Sequence, residues 1–373
     1  MSASSVLFLA PGIRPGSGGV ADYCVHLSAA LTKTGVGCHL ASWNETKGDD
    51  NRARVLYLHE NSESTSRTKA ATLRAYLERH QIQWVSLQFV NFGFAERGLI
   101  YGLASALAGA FQGRRCHLFL HELWLGAHRG ARLRERLLGS FQKRQLLHLL
   151  ETLRPAAVWT SNDLYQKQLA REGVETEVLP IFGNIPISTL RLDDFILRQL
   201  EVSQPARKRE DYFLVGLFGT INRAWPFRDV IPRLLPCAGQ RRVAFILFGR
   251  SGEADAFREY VAGLRGVQVL SLGPLEVETI DQVINSMDVA LTSTPAEGIF
   301  KSGSAVAFLE RGVPTIAVHR GLDDLVPPAE SAHPSLLLAD DKLERNLAKA
   351  ATTRRSESFQ PAVVQRYLEL FRT

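Results

Sequence analysis

The sequence predicts an α/β protein built from two doubly wound parallel domains, and three observations carry this prediction. Short apolar runs alternate with stretches of helical periodicity along the chain, a pattern typical of βαβ units. The pattern stops near residues 183–210, a segment with Pro, Gly and Asn breakers, and then starts again. The chain has 373 residues, which is more than one hydrophobic core usually supports.

In the first half, apolar runs that predict strands are VLFLA (6–10), CHLAS (38–42), VLYLH (55–59), WVSLQF (84–89), CHLFLH (116–121), AAVWTS (156–161) and EVLPI (177–181). A glycine turn follows the first run, and helical periodicity predicts a helix at about 20–34. We assign residues 1–185 to an N-terminal Rossmann-like domain and residues 186–210 to an interdomain linker.

The second half repeats the pattern with YFLVGLFG (212–219), VAFILFG (243–249), VQVLSLG (267–273), VALTST (289–294) and TIAV (315–318). We assign residues 211–355 to a second Rossmann-like domain. Residues 356–373 predict a C-terminal helix that could pack across the domain boundary. Two such domains are expected to face each other across a central cleft, with ligands at the carboxyl ends of the strands.

The composition favours a cytoplasmic globular protein. Hydrophobic residues make up 45% and charged residues 22% of the chain, and no apolar run reaches membrane-spanning length. The start of the sequence lacks the basic region of a signal peptide. The cysteines at 24, 38, 116 and 237 are too scattered for a disulfide framework or a C-x-x-C metal site.

The chain is moderately basic, with a net charge of +6 from 44 Lys plus Arg against 38 Asp plus Glu. Within 129–150, apolar residues recur every four positions among basic ones. The basic residues are Arg129, Arg132, Arg134, Arg136, Lys143 and Arg144, and the apolar ones are Leu133, Leu137 and Phe141. This segment predicts either a solvated surface helix or a peripheral contact with an anionic membrane. Nucleic acid is not favoured, because no motif of interleaved aromatic and basic residues is present.

Glycines and polar residues follow several predicted strands of the first half. Gly12, Gly16, Gly18 and Gly19 lie between the first strand and its helix, without the spacing of a dinucleotide fingerprint or a Walker loop. They predict a ligand loop or a structural tight turn. His121 and Glu122 close another strand, where they predict a ligand contact, a proton transfer near neutral pH or a hydrogen-bonded structural pair.

The second half has comparable loops with basic residues. Gly219, Thr220, Asn222 and Arg223 follow its first strand, and Gly249 and Arg250 follow its second. Together with Lys301 they predict a cationic pocket for a diphosphate.

The segment 293–318 predicts a turn, a helix and a buried strand. Lys301, Ser302, Gly303 and Ser304 precede a helical apolar pattern that ends at Gly312. Backbone amides at a helix start, a lysine and two hydroxyls favour an anion. The alternative is an ordinary capped helix between two strands.

These motifs together resemble GT-B glycosyltransferases, most closely the family-four (glycosyl transferases group 1) enzymes. The resembling segments are PGSGGVADY, LQFVNFGFAERG, HELW, EVLPIFGNIP, GLFGTI and DVALTSTPAEGIFKSGSAVAFLERGVPTIAV. One feature departs from the family, whose donor motif carries a second glutamate after seven intervening residues. Counting from Glu297 places Ala305 at that position, and counting back from Gly312 places Ala307 there. The departure therefore concerns the position that commonly binds the nucleotide ribose in that family.

The resemblance implies a retaining hexosyltransferase that uses a UDP- or GDP-sugar as co-substrate, without a further cofactor or a metal, in bacterial polysaccharide or glycolipid synthesis. The acceptor would be a saccharide, a lipid-linked or a small molecule. The residues expected to act in catalysis are His121, Glu297, Lys301 and Arg223. Those expected to bind the donor are Gly219, Thr220, Asn222, Gly249, Arg250, Ser302, Gly303 and Ser304. Those expected to bind the acceptor are Gly18, Gly19, Asp22, Tyr23, Gln88, Asn91 and Glu122.

Two alternatives remain open at the level of sequence. The missing second glutamate fits a non-catalytic nucleotide-sugar-binding or scaffold protein of the same fold. A sugar-phosphate enzyme of the same architecture, such as a phosphorylase or a sugar-nucleotide epimerase, is the other.

Overall fold

A computed structural model describes residues 5–59, 64–127, 130–200, 208–250, 252, 254–320 and 333–372. The chain divides into two units, each with its own core. The first unit runs to Pro180 and includes the segment that starts at Gln360, and the second unit is Ile181–Phe359. Both units contain parallel sheets covered by helices, so the predicted α/β fold class is confirmed.

The first unit is built on a parallel sheet that has seven strands among its described residues, in the order β3-β2-β1-β4-β5-β6-β7. The strands are β1 (Ser5–Ala10), β2 (Gly37–Ser42), β3 (Val55–Tyr57), β4 (Trp84–Phe89), β5 (Arg115–Leu120), β6 (Ala157–Thr160) and β7 (Glu177–Val178). Its first helices are α1 (Gly19–Lys33), α2 (Ser66–Arg79), α3 (Asn91–Phe94), α4 (Leu103–Ala110), α5 (Leu133–Leu153) and α6 (Asp163–Ala170). Every residue of β4 is buried, as expected for a parallel strand covered on both faces.

The second unit has six parallel strands among its described residues, in the order β10-β9-β8-β11-β12-β13. They are β8 (Tyr212–Phe218), β9 (Arg242–Phe248), β10 (Val267–Gly273), β11 (Val289–Leu291), β12 (Thr315–Ala317) and β13 (Leu336–Leu338). Its helices are α7 (Asp193–Leu200), α8 (Phe227–Leu234), α9 (Asp255–Ala262), α10 (Val277–Ser286), α11 (Gly303–Leu309) and α12 (Leu343–Thr352).

The segment 186–210, expected to be an interdomain linker, instead contributes α7 to the second unit. Ile196, Leu197 and Leu200 of α7 lie in that unit's core with Tyr212 and Ile246. Proline and asparagine around residues 180–186 indicate a loop. The apolar residues that follow have the spacing of an amphipathic helix, and the apolar face of that helix packs into the core. The described part of the chain thus changes units at Pro180.

The C-terminal helix α13 (Gln360–Arg372) belongs to the first unit, although it follows the second in the sequence. Tyr367 packs edge-on against Phe8 of β1 at 5.9 Å, and Phe371 lies 5.5 Å from Trp84 of β4. The helix therefore covers the central strands of the first sheet.

Both strand orders reverse direction at one place, the topological switch point where α/β sheets usually bind ligands. In the first unit it lies between β1 and β4, and in the second between β8 and β11. We call residues 11–18 the first switch-point loop and residues 219–226 the second switch-point loop, because each leaves the central strand at its carboxyl end.

Candidate functional site

The first switch-point loop is held by two carboxylates of its own unit. Glu45 Oε2 accepts hydrogen bonds from the amides of Ile13 at 2.7 Å and Arg14 at 3.1 Å. Asp22, in the first turn of α1, accepts one from the amide of Gly16 at 2.6 Å. These amides, which would otherwise be available to an anion, are already bound to negative groups of the protein.

Gly12 is required beside Glu45. A Cβ atom at position 12 would lie 2.6 Å from Glu45 Oε1, and Glu45 cannot move away without losing its bonds to the loop. Sequence reasoning did not find Glu45, which follows β2 and is distant in sequence from the loop it holds. An acidic residue just after the strand next to β1 was the available signal.

A cavity of about 360 Å³ opens at the first switch point. Gly18 and Gly19 of the predicted acceptor site line it, together with Glu45, Val90 and Gly93. Small residues leave the backbone accessible there, and the carboxylate of Glu45 is a hydrogen-bond acceptor for hydroxyl groups. The cavity therefore fits a neutral polyhydroxyl group better than an anion.

His121 follows β5 and is almost fully buried, with 8% of its surface exposed. Its Nε2 lies 2.9 Å from Gln88 Oε1, and its ring packs against Phe119 at 4.5 Å and Tyr23 at 5.3 Å. Burial lowers the pKa of His121 to about 3. The imidazole is therefore neutral at physiological pH, which favours the hydrogen-bonding role over proton transfer.

Three residues expected to contact an acceptor are instead inside the first unit. Gln88 and Asn91 have no exposed surface, and Tyr23 is 1% exposed. The Asn91 amide donates to the Leu123 carbonyl at 2.9 Å. Burial raises the pKa of the Tyr23 hydroxyl, and the neighbouring Tyr367 raises it further. The expectation that these three residues bind the acceptor is therefore wrong. Their side chains are buried and contact other residues of the first unit. Glu122 is exposed.

The second unit brings its predicted loops together at the carboxyl edge of the sheet. The Ser293 hydroxyl, which follows β11, accepts a hydrogen bond from the backbone amide of Asn222 at 3.1 Å and donates one to the backbone carbonyl of Thr220 at 3.3 Å. Thr220 Oγ1 donates to the Arg250 carbonyl at 3.4 Å. The second switch-point loop is thus tied to the loops after both neighbouring strands, β9 and β11.

Glycine conformations permit this convergence. Gly219 and Gly249 both have left-handed backbones, with φ of 81° and 77°, which glycine adopts without strain. A Cβ atom on Gly219 would lie 3.7 Å from the Ser304 side chain. The second switch-point loop therefore lies beside the start of α11.

The start of α11 carries the predicted hydroxyl groups. Ser302 is its N-cap and accepts from the Ala305 amide at 3.4 Å, and its hydroxyl lies 3.2 Å from that of Ser304. Gly303 opens the helix. The basic side chains of Arg223, Arg250 and Lys301 are exposed on the loops around it. The predicted donor residues therefore share one edge of the second unit.

Glu297, which was expected to hold the donor sugar, is buried inside the second unit. Its side chain has no exposed surface, and its Oε1 lies 3.0 Å from His319 Nδ1 and accepts from the Arg320 amide at 2.9 Å. The carboxylate instead fixes the strand exit after β12. A turn residue beside a helix start looks exposed in sequence, but the 3₁₀ turn Ala296–Lys301 folds it inward.

The positions of the missing family glutamate are packing positions. Ala305 and Ala307 are buried in two hydrophobic clusters of the second unit. The nearby Glu310 is also buried, where it accepts from the amides of Gly183 at 3.1 Å and Phe359 at 2.8 Å. Burial raises its pKa. This acid joins the two ends of the unit and is not available to a ribose.

Helix α5 carries the basic segment, of which Arg129 lies outside the described residues. Its inner face buries Gln142, Leu146 and Leu149. Its outer face leaves three apolar side chains exposed, Leu133 at 72%, Leu137 at 56% and Phe141 at 59%. The described helices include none that is both long and apolar enough to cross a membrane.

No protein-family model matches the sequence, and no curated protein matches it significantly. Solved structures match along nearly the whole chain. Alr3699/HepE of Anabaena, in complex with UDP and glucose, has a TM-score of 0.59 and 18% identity, over 98% of this chain and 99% of that one. A glycosyltransferase of Rickettsia africae has a TM-score of 0.61 and 11% identity, over 100% and 98%.

A plant protein matches equally well. The catalytic domain of starch synthase IV from Arabidopsis thaliana, bound to ADP and acarbose, has a TM-score of 0.61 and 12% identity, over 99% of both chains. The sequence identity to these structures is low, whereas the fold matches over nearly the whole length of each chain. The chain has the GT-B fold of these glycosyltransferases.

Proposed function

We propose that the protein is a glycosyltransferase that moves a hexosyl group from a UDP- or GDP-sugar to an acceptor hydroxyl. The observation that carries the proposal is the edge of the second unit where Gly219, Ser302 and Ser304 lie close together among exposed basic side chains. Two solved structures of the same fold, HepE and the catalytic domain of starch synthase IV, contain UDP and ADP respectively.

In this proposal the second unit holds the donor. Hydroxyls and amides around Ser302–Ser304 bind the diphosphate, and Lys301, Arg223 and Arg250 neutralise its charge. The acceptor oxygen bonds to the anomeric carbon as the bond to the diphosphate oxygen breaks, and the acceptor proton leaves with the nucleotide diphosphate. The family resemblance favours retention of configuration at that carbon.

The first unit would hold the acceptor. The cavity beside Gly18, Gly19 and Glu45 takes hydroxyl groups, and His121 contacts a substrate hydroxyl as a neutral group. Asp22 would act through the loop amide that it binds. Glu297 would act through His319 and Arg320, which it holds.

The exposed face of α5 supports a peripheral membrane contact of this enzyme, at the cytoplasmic side. Leu133, Leu137 and Phe141 form an apolar stripe, and the exposed Arg134 and Arg144 on the same helix are complementary to anionic lipids. Such a contact suits a lipid-linked acceptor in polysaccharide or glycolipid synthesis.

Vesicle sedimentation tests the membrane contact. We expect binding to phosphatidylglycerol vesicles, weakened by salt and by the triple change L133S/L137S/F141S. The control is Leu190→Ser, because Leu190 of the second unit is also exposed, at 62%. Equal sedimentation of the triple variant and the parent would contradict the contact.

Nucleotide binding and turnover test the function itself. We expect one diphosphate among UDP, GDP and ADP to raise the melting temperature, and its sugar nucleotide to release that diphosphate only with an acceptor present, also in EDTA. Binding without turnover would favour a scaffold protein. Interconversion of sugar nucleotides without an acceptor would favour an epimerase.

A further inference from the structure

A chain of hydrogen bonds runs through the interior of the first unit beneath His121. Gln88 Nε2 donates to Ser86 Oγ at 2.7 Å and lies 3.4 Å from the Tyr367 hydroxyl. Ser86 Oγ lies 2.8 Å from His117 Nδ1, and Gln88 Oε1 lies 2.9 Å from His121 Nε2. Gln88, on β4, thus links the buried chain to His121, which follows β5 and retains 8% of its surface exposed.

The placement of the Gln88 amide sets the direction of donation at His121. Burial lowers the pKa of His117 to about 3, so its ring is neutral and Nδ1 can accept from the Ser86 hydroxyl. Ser86 Oγ then accepts from the Gln88 amide nitrogen. The remaining end of that amide is its oxygen, which can only accept, so His121 must donate to it through Nε2–H.

This direction determines what His121 presents to a ligand. A neutral imidazole carries one N–H and one lone pair. With the hydrogen on Nε2 and directed to Gln88, the lone pair is on Nδ1. In the described part of the chain, the His121 side chain has no other hydrogen bond than the one to Gln88; its backbone amide donates to the Phe89 carbonyl at 3.0 Å. Packing against Phe119 and Tyr23 limits rotation of the ring.

We propose that Gln88 is a positioning residue that holds His121 in the Nε2–H tautomer, so that Nδ1 accepts a hydrogen bond from a hydroxyl of the sugar or the acceptor. The inference rests on the proposed transferase function for the identity of that hydroxyl. It replaces the expectation that Gln88 itself contacts the acceptor. His121 then aligns a hydroxyl and does not gain a proton during transfer.

The main experiment combines NMR with kinetics on the full chain. Nitrogen-15 spectra of labelled histidines, assigned with His121→Phe, report which ring nitrogen of His121 carries hydrogen. We expect Nε2–H in the parent and a mixture of tautomers in Gln88→Met. The same change should lower kcat about tenfold, the effect of one lost hydrogen bond of about 1.4 kcal/mol.

The chain offers a matched control. Gln142 is equally buried in the first unit and makes two hydrogen bonds, to the Leu125 amide at 2.9 Å and the Arg97 carbonyl at 2.7 Å, without contact to His121. Gln142→Met should leave the tautomer and kcat unchanged, and circular dichroism would show whether either variant is folded.

A second variant adds a pH profile. In Gln88→Glu the carboxylate still accepts from Nε2–H, but its charge raises the pKa of His121. Once protonated, His121 has no lone pair, so kcat should fall on the acid side at a pH where the parent is unaffected. A role in packing alone would not produce this profile.

The two proposals can fail separately. Nδ1–H in the parent, or an unchanged tautomer in Gln88→Met, would overturn the positioning role whatever the activity. Absence of turnover with every donor and acceptor would instead overturn the transferase function, while the spectra still decide the tautomer.

Discussion

The two switch-point loops share a topology and differ in charge. The first has its amides bound to Glu45 and Asp22, whereas the second lies beside hydroxyl groups and exposed basic side chains. A glycine loop after a central strand therefore does not by itself make a phosphate site, because a carboxylate of the protein can already occupy the place of the anion. The difference predicts a diphosphate in the second unit and neutral hydroxyls in the first.

The largest expected effect comes from removing positive charge in the second unit. Lys301→Ala should lower the rate of transfer by about 10²- to 10³-fold, the usual effect of losing one group that stabilises a leaving anion. The stabilisation of the protein by UDP or GDP should fall as well. Steady-state kinetics and thermal shift measure the two effects.

The control for this change is Lys342→Ala, since Lys342 is also an exposed lysine of the second unit and is not among the donor residues. If Lys301→Ala bound the nucleotide and turned over like the parent, the charge contrast between the loops would have no functional meaning.

The first unit should also lose stability in acid, because it buries two histidines. Burial lowers the pKa of His117 and His121 in the first unit from 6.5 to about 3. Between these values the unfolded chain binds protons that the folded unit excludes, so stability is retained above pH 6.5 and falls as the pH falls towards 3. At pH 5 each histidine should remove about 2 kcal/mol from the free energy of unfolding.

Urea unfolding at pH 7 and pH 5 measures this loss. His117→Phe should reduce the acid sensitivity by about 2 kcal/mol, because a phenyl ring does not titrate. The exposed His148 provides the control, as His148→Gln should leave the sensitivity unchanged. Equal acid sensitivity of His117→Phe and the parent would contradict the assignment.

The sequence predicts the strands from β1 to β12, the glycine loops and α11 because these depend on local periodicity and on breakers, and it misses the short β13. It also predicts which donor loops meet, since parallel strands share a carboxyl edge. It misplaces Gln88 because β4 is buried on both faces, and it misplaces Tyr23 and Asn91 because they lie on the buried sides of α1 and α3. A polar residue there does not indicate whether it faces a ligand or another strand.

Other errors have a different physical origin. Glu297 was expected at the donor because its segment resembles the family's donor motif, but a 3₁₀ turn buries it against His319. Glu45 was missed because its partners, Ile13 and Arg14, are far from it in sequence. Tertiary hydrogen bonds of this kind leave no periodic signal in the chain.

The smallest expected effect comes from releasing the first switch-point loop. Glu45→Ala removes the acceptor of the Ile13 and Arg14 amides, which water can partly replace, so the free energy of unfolding should fall by about 1 kcal/mol. The KM for the acceptor should rise several-fold, because the loop and a carboxylate of the cavity change together. Nucleotide binding should stay as in the parent.

Glu78→Ala is the matched control, as Glu78 is an exposed glutamate of the same unit that pairs only with Arg74 in the described chain. Because Glu45 and Lys301 lie in different units, their variants should affect different substrates. The changes that the two substitutions cause in the activation free energy of transfer should also add in the double variant, to within about 0.5 kcal/mol. Weaker nucleotide binding in Glu45→Ala would mean that the first loop also holds the diphosphate, and the charge contrast would then not separate donor from acceptor.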